Sequence, residues 1–230
     1  VIALMLAGMG VFDSFCHALT TMPTGGFSTK NASIGHYDSS VIHYIIIFFM
    51  FIAGVNFSLH FRAINGDMRS YQKDAEFVVY FIGIILVTTL VFLSVSTIDE
   101  NFSLLNLRES LFVTVSIFTT TGFSSADYEL WPVIVQAILL TLMFIGGMGG
   151  STAGGMKVIR CMLLAKYAAL ETRRMLHSRA LIPVRIGKQL IKEDVVRNTL
   201  GFFSATSFKK KSPTPFCFKL VFRKYFLYLN

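Results

Sequence analysis

Two long apolar runs constrain this chain more than any other feature. Residues 41–61 and 77–95 are each close to the roughly 20 residues that a helix needs to cross about 30 Å of hydrocarbon. The composition agrees, because 53% of the residues are hydrophobic, 15% are charged and the mean hydropathy is +0.61, which does not fit a soluble domain. We therefore predict that both runs are transmembrane helices of an all-α polytopic membrane protein.

A third apolar run is interrupted by glycines. Residues 132–145 are too few to span a bilayer, but the chain continues through a glycine-rich stretch into the apolar residues 158–164. We predict one spanning helix with a broken middle. Residues 1–11 make about half a span, and they follow neither an initiator Met nor a charged leader, so we expect the chain to start inside a helix of a longer protein.

Basic residues predict the orientation. The formal net charge is +8, and the link after the first full span contains Arg62, Arg69 and Lys73. A larger basic group follows the broken helix: Lys157, Arg160, Lys166, Arg173, Arg174, Arg179, Arg185, Lys188 and Lys192. Under the positive-inside rule these ends face the cytoplasm. We expect the group to contact lipid headgroups rather than nucleic acid, since no nucleic-acid motif accompanies it, and a docking surface for a cytosolic partner stays open.

The chain repeats a short Thr/Gly segment. Residues 21–28 and 119–125 are variants of it, and each follows a helical stretch too short to span, residues 12–21 and 109–119. Gly25 placed over Gly122 and Thr24 over Thr121 give the predicted register. A half-helix that leads into an extended segment and returns to the same face is a re-entrant loop. Both loops lie opposite the basic segments, which predicts that they face the outside.

Such loops are suited to binding a cation. K⁺ filters are built from backbone carbonyls of Thr/Gly loops around one axis, and the half-helix points its partially negative C-terminal end at the ion. Glycine permits the backbone angles that aim successive carbonyls inward. We predict a K⁺ filter that contains Pro23, Thr24, Gly25, Thr120, Thr121 and Gly122. The alternative is a pair of ordinary extracellular turns, in which Gly and Thr are common.

The glycines that break the third helix form a candidate gate. Met156 separates Gly155 from Lys157, so the phosphate-binding pattern of a Walker loop fails here. Irregular backbone at membrane depth is tolerated where it is buried in protein or lines a wet cavity. We predict a gate below the filter made of Gly146, Gly147, Gly149, Gly150, Gly154, Gly155 and Lys157. The alternative is close packing of small residues between helices.

These motifs together resemble a known family, the TrkH/TrkG membrane subunits of bacterial Trk potassium-uptake systems, in the Trk/Ktr/HKT superfamily. The resemblance runs from the start of the chain to about Phe203. Its motifs are Phe12-Asp13, His17-Ala18, Thr21, residues 25–29, residues 31–35, residues 53–57, residues 119–123 and residues 149–157.

The resemblance implies a fold of four helix–pore-loop–helix repeats around one pore in the bacterial inner membrane, and a dimeric subunit. It also implies a cytosolic nucleotide-binding regulatory ring of TrkA type, K⁺ as the transported ion and no organic cofactor. Gly25 and Gly122 match the filter glycines of that family, and residues 146–155 match its intramembrane gating loop. The present chain then corresponds to the second repeat without the start of its first helix, the whole third repeat and the approach to the fourth.

The corresponding division has five segments. Residues 1–64 form a second-repeat-like unit, 65–76 a cytoplasmic link, 77–175 a third-repeat-like unit, 176–203 a cytoplasmic segment and the start of the next membrane helix, and 204–230 a divergent basic tail. The tail departs from the family, since Lys209, Lys210, Lys211 and two prolines replace an apolar helix, and we expect a truncation or a shifted reading frame there. Pro23, beside the filter, is a second departure.

The sequence thus predicts potassium uptake through a Trk-type pore. The alternative is a non-conducting truncated membrane fragment that only binds a partner or regulatory subunit. An enzyme is not expected, because the sequence offers no nucleophile–base constellation or metal-ligand set.

Overall fold

A computed structural model describes residues 1–97, 103–176, 185–186, 189–190 and 201. The helices in these residues are α1 (Ile2–Leu6), α2 (Val11–Thr21), α3 (Ser40–Ala53), α4 (Phe57–Ile64), α5 (Ser70–Lys73), α6 (Ala75–Ser96), α7 (Leu104–Phe118), α8 (Val133–Ile145) and α9 (Val158–Leu176). Short 3₁₀ turns lie at Ser33–His36 and Tyr128–Leu130. Two strands of two residues each, β1 (Arg185–Ile186) and β2 (Gln189–Leu190), pair antiparallel. Apart from this pair, the regular elements in the described residues are all helical.

All of these elements belong to one compact unit, Val1–Ile191. A second unit is Lys192–Asn230, of which the structure describes Gly201. The predicted tail, residues 204–230, and most of the predicted segment 176–203 therefore lie outside the described residues. The five-segment division stays a prediction.

Helix α6 confirms the predicted span at residues 77–95. Its 22 residues make it, within the described part of the chain, the one helix that is long and apolar enough to cross a membrane by itself. The helix begins where the Asp74 carboxylate accepts a hydrogen bond from Phe77 N at 2.9 Å, which satisfies one of the amides left free at a helix start. At about 1.5 Å per residue its length matches the hydrocarbon core.

The prediction of one continuous helix over residues 41–61 was wrong. Helix α3 ends at Ala53, and α4 begins at Phe57 after a bend of 100°. Asn56 starts the new helix, because its side-chain oxygen accepts a hydrogen bond from Ser58 N at 2.8 Å. Gly54 leaves room for Tyr80 to pack against the bend, since a Cβ there would collide with the Tyr80 hydroxyl. The pair is a broken span or a re-entrant segment.

The two helices that precede the Thr/Gly loops pack very differently. Helix α7 contacts α3, α6 and α8, and Phe112 on it is fully buried. Helix α2 contacts α1 and α3, and its Phe12, Phe15 and Leu19 are exposed. The core of the unit is therefore built around α7.

The break between α8 and α9 agrees with the predicted interruption of the third span. Helix α8 ends at Ile145, residues 146–157 are irregular, and α9 begins at Val158. Helix α9 continues to Leu176, beyond the apolar residues 158–164. Gly146 ends α8 with φ 73° and ψ −174°, a conformation that is essentially restricted to glycine.

Candidate ion filter and gate

The two Thr/Gly loops have the same backbone conformation. Thr24 and Thr120 lie in the left-handed region with φ 55° and 58°, and so do Gly26 and Gly122 with φ 67° and 87°. The residue between each pair is outside that region. A chain that alternates in this way turns successive carbonyls toward the same side, which is the arrangement that a ring of ion-binding carbonyls requires.

This alternation corrects the predicted register by one residue. Gly26, not Gly25, corresponds to Gly122, and Thr24 corresponds to Thr120. The shared segment Gly-Phe-Ser already contained this register, but the first glycine of the Gly25-Gly26 pair was matched instead.

Hydrogen bonds to each preceding helix give the same register. Thr20 O accepts from the amides of Gly25 and Gly26, at 2.8 and 3.2 Å. In the second loop Ser116 O accepts from the corresponding amides, those of Thr121 and Gly122, at 2.9 and 3.3 Å. Helices α2 and α7 each hold the loop that follows them through one carbonyl near their C-terminal ends.

The loops touch each other. A Cβ placed on Gly26 would lie 1.8 Å from Thr121 O, whereas one on Gly122 meets nothing within 4 Å. A Cβ on Gly25 would make ordinary contacts at 3.6 Å. Position 26 thus requires glycine for two reasons, its positive φ and its contact with the second loop. The sequence alone did not reveal the contact.

A buried histidine supports the first loop. His17 has no exposed surface, and its Nδ1 lies 2.7 Å from Asp13 O while its Nε2 lies 2.8 Å from Ser28 Oγ. A carbonyl only accepts, so Nδ1 carries the proton, and in the neutral ring Nε2 accepts from the Ser28 hydroxyl.

A polar cluster around Asp13 joins the N-terminal end of α2 to the segment after the first loop. The Asp13 carboxylate accepts from the Thr29 hydroxyl at 2.6 Å and the Tyr37 hydroxyl at 2.9 Å, and it lies 3.3 Å from Lys30 Nζ. These hydroxyls, Thr29 first, lower the pKa of Asp13 to about 2. Burial and the Asp13 carboxylate raise the pKa of Tyr37 to about 12.

Buried hydroxyls support the second loop. Ser116 Oγ donates to Phe123 O at 2.7 Å, and the hydroxyls of Thr119 and Thr121 lie 2.8 Å apart. In the first loop Thr20 Oγ1 makes the bond that corresponds to that of Ser116, to Phe27 O at 2.8 Å.

The glycine-rich segment, residues 146–157, contacts both loops and is called the crossing loop below. Thr24 Oγ1 donates to Thr152 O at 3.1 Å, and Gly154 N donates to Thr120 Oγ1 at 2.5 Å. Thr152 Oγ1 also lies 3.0 Å from the carbonyl oxygen of Met22, the residue that directly follows α2. The two left-handed threonines are therefore the points at which the predicted filter meets the predicted gate.

The crossing loop is also paired with the break between α3 and α4. Met148 N donates to Gly54 O at 3.0 Å, and Phe57 N donates to Gly150 O at 3.1 Å. Each irregular segment thereby satisfies backbone groups of the other, which a membrane interior requires. The sequence placed these segments about a hundred residues apart with no sign of this pairing.

Several glycines of the crossing loop are sterically required. A Cβ on Gly146 would lie 2.2 Å from Gly154 O, and one on Gly147 would lie 2.6 Å from Ala153 Cβ. Gly155 has φ 74°, and a Cβ on it would approach the Gly146 Cα at 2.8 Å. The start and the end of the loop therefore pack backbone against backbone.

Two charged side chains stabilise the crossing loop. Lys157 Nζ donates to Ala153 O, and it lies 3.3 Å from Ser151 O. Glu76 Oε1 accepts from Gly149 N at 2.6 Å and from Ile159 N at 3.0 Å. Sequence reasoning included Lys157 and missed Glu76, although a carboxylate at the edge of an apolar span was a usable signal.

The predicted filter and gate residues thus form one connected site. Pro23 lies in the first loop, and its carbonyl accepts from Thr24 Oγ1 at 2.7 Å. The described residues contain no group of three or more His, Cys, Asp or Glu that could hold a metal ion. The chemistry that the site offers is backbone carbonyls and hydroxyls, which are oxygen ligands for a weakly hydrated cation.

Comparison with known proteins gives a consistent result. The family described as "TrkH: Cation transport protein" matches residues 4–207. The Trk system potassium uptake protein TrkH of Salmonella typhimurium is 39% identical over 209 residues, which are 89% of this chain and 43% of that protein. The TrkH protein of Halomonas elongata is 40% identical over 207 residues, or 89% and 42%.

A solved structure is also similar. The crystal structure of the potassium transporter TrkH from Vibrio parahaemolyticus matches with a TM-score of 0.85 and 39% identity, over 90% of this chain and 45% of that chain. The present chain therefore spans less than half the length of the relatives it matches.

Proposed function

Because the chain belongs to the TrkH family of cation transport proteins, we propose that it forms two walls of a K⁺-conducting pore together with the gate beneath them. It takes part in potassium uptake and performs no covalent chemistry. The ion is the cargo and no organic cofactor is involved. This proposal takes its substrate from the printed names of relatives that are more than twice as long as the chain.

The observation that supports it most is the shared geometry of the two loops. The positive φ angles of Thr24 and Gly26 recur at Thr120 and Gly122, and the backbones of the two loops are in contact. A pair of ordinary surface turns would not require either the repeated angles or the contact. The filter that we propose contains the predicted Pro23, Thr24, Gly25, Thr120, Thr121 and Gly122, together with Gly26. The left-handed threonines also bond to the crossing loop.

The crossing loop is the proposed gate. Gly146, Gly147, Gly149, Gly150, Gly154, Gly155 and Lys157 belong to it, and its residues 152–154 lie against both filter loops. A segment in that position obstructs a path that leaves the filter. Movement of the loop away from Thr24 and Thr120 would open the path.

Orientation and partners follow from the charges and from the family. The filter loops face the periplasm of a bacterial inner membrane, and Arg62, Arg69, Lys73 and the basic residues of α9 face the cytoplasm beside lipid headgroups. A cytosolic TrkA-type nucleotide-binding ring regulates the pore from that side. The complete transporter is a homodimer, and nucleic acid is not a partner.

Growth at low K⁺ tests the proposal. Residues 4–203 replace the matching half of the TrkH protein of Vibrio parahaemolyticus, and this chimaera is expressed in a strain that lacks K⁺ transporters. We expect K⁺ uptake and growth, because the chain supplies two loops of the right geometry to a host that supplies the remainder. A chimaera that reaches the membrane at the level of the host protein and takes up no K⁺ would contradict the proposal.

The 230-residue chain expressed alone is the second arm. Two loops enclose only part of a ring, and unsatisfied pore carbonyls in lipid cost several kcal/mol each. We expect no growth at low K⁺ from this arm. Robust uptake by the lone chain would show instead that two copies complete a pore.

A further inference from the structure

Glu76 makes contacts that neither the filter nor the helix that contains it requires. It lies in the first turn of α6 with 8% of its surface exposed. Its Oε1 accepts from Gly149 N at 2.6 Å and from Ile159 N at 3.0 Å. A buried carboxylate at the edge of a membrane span is costly unless its partners serve a purpose.

The two amides that Glu76 binds lie on either side of residues 151–154 of the crossing loop. Gly149 lies near its start, and Ile159 lies in the first turn of α9, directly after its end. One oxygen atom therefore joins both ends of the loop to α6. Charge-assisted bonds of this kind are roughly twice as strong as neutral ones.

The crossing loop can be divided into a base and a tip. Gly150 and Gly155 have positive φ of 75° and 74°, and residues 151–154 between them are the tip. The bonds to the filter loops come from Thr152 and Gly154 in the tip. The rest of the loop, on either side of the tip, is the base. Glu76 binds the base at Gly149 and at the adjoining Ile159, so its position affects the distance between the tip and the filter loops.

Helix capping does not account for Glu76. Asp74 already caps α6 through Phe77 N, so α6 does not need a second carboxylate. The Ile159 bond does cap α9, but a cap for α9 alone does not require the shorter bond to Gly149. The double contact is what a clamp across the loop requires.

We propose that Glu76 is the positioning residue that clamps the base of the crossing loop and thereby keeps its tip under the filter. The inference rests on the proposed function of the loop as a gate. Without the carboxylate the two ends of the loop separate, the tip loses its fixed distance from Thr24 and Thr120, and the path opens without the cytosolic partner.

The first test compares three substitutions in the chimaera, in cells that lack the regulatory ring. Glu76→Ala removes the acceptor and Glu76→Asp withdraws it from reach, so both raise K⁺ uptake about fivefold or more, the lower end of a typical coupling between sites. Glu76→Gln keeps an acceptor oxygen in place and stays close to the unmodified protein. Asp74→Ala is the matched control, because it weakens the start of α6 without touching the loop, and it does not raise uptake.

A second test asks whether the effect of Glu76→Ala on K⁺ uptake requires the tip of the crossing loop. It distinguishes a clamp on the loop from a general loosening of the protein. In a chimaera that lacks residues 151–154, Glu76→Ala gives no further rise in uptake. The clamp is refuted if the same substitution raises uptake equally with the shortened loop, or if it leaves uptake unchanged or lower at an equal amount of membrane protein.

Thiol labelling tests the clamp without transport. Ser151→Cys is introduced after Cys16 and Cys161 are replaced by alanine, and an impermeant maleimide is applied to inside-out membrane vesicles. Glu76→Ala accelerates labelling of this cysteine and Glu76→Gln does not. Equal labelling rates in all three proteins contradict the clamp, whereas a chimaera that shows the acceleration but takes up no K⁺ contradicts only the proposed function.

Discussion

The two Thr/Gly loops share a backbone conformation and one matched hydroxyl bond, but most of the side chains that support them differ. Both alternate between left-handed and other conformations, and both hang from one carbonyl of a short helix. The first loop is supported by His17 and by the polar cluster around Asp13, and the second loop is supported by hydroxyls inside the core. Phe15 on α2 is 53% exposed, while Phe112 on α7 is fully buried.

The difference shows that the conformation of a filter loop can be maintained by unrelated side chains. Corresponding residues confirm this, since Val113 occupies in the second copy the place of His17 in the first when Gly26 is set over Gly122. What must be repeated is the backbone geometry, because in the proposed filter the ion contacts backbone carbonyls. The supporting side chains only need to satisfy the local hydrogen bonds.

Glycine substitutions in the two loops of the chimaera should have the largest effects, and these effects should differ between the loops. Gly26→Ser should abolish K⁺ over Na⁺ discrimination, because its Cβ would collide with Thr121 O in addition to the left-handed strain of about 1–2 kcal/mol. Gly122→Ser carries the strain alone and should weaken discrimination less. Gly25→Ser should have the smallest effect, and K⁺ and Na⁺ uptake rates measure all three.

That order distinguishes the register seen in the structure from the one expected from sequence. If Gly25→Ser impaired discrimination as strongly as Gly122→Ser while Gly26→Ser did not, the alignment of Gly26 with Gly122 would be contradicted. Membrane amounts of the three proteins are the control.

The matched hydroxyls give a smaller, more local comparison. Ser116→Ala leaves Phe123 O without its donor in the core and should cost about 1–3 kcal/mol of stability. Thr20→Val removes the same bond in the first loop, but the Thr20 hydroxyl is shared with Cys16 O and the site is half-buried, so we expect about 0.5–1.5 kcal/mol. Thermal unfolding of the detergent-solubilised chimaera measures both, and an equal or reversed order would show that burial does not separate the two loops.

The polar cluster around Asp13 should give the smallest effect, because its charged side chains are partly exposed and solvent screens their interaction. The pKa of Asp13 is about 2 in the fold and about 3.9 in an unfolded chain, so its stabilisation is present above the unfolded value and is lost as pH falls toward the folded one. The midpoint difference between the chimaera and its Asp13→Asn variant should be constant near pH 6 and should shrink between about pH 4 and pH 2. A difference that persists at the acidic end would show that the carboxylate charge is not what Thr29 and Tyr37 recognise.

Part of this protein could be determined from its sequence. Residues 77–95 have to become a helix in lipid because nothing else satisfies so long an apolar backbone, and α6 spans them. The repeated Thr/Gly segments and the broken third helix could also be found, since glycine and hydrophobic length are local signals. The family and its fold followed from the order of these motifs.

Tertiary structure alone decided how the pieces meet. The bend at Gly54, its backbone pairing with Met148 and Gly150, and the bonds of Glu76 to Gly149 and Ile159 join segments distant in sequence. Residues 41–61 contain Gly54 and Asn56 as local signs of a break, but the partner that satisfies the freed backbone groups is distant in sequence, so the bend of 100° depended on tertiary contacts. The register of the two loops was decided in the same way, because φ values and interloop contacts, rather than glycine positions, determine which carbonyls correspond between the loops.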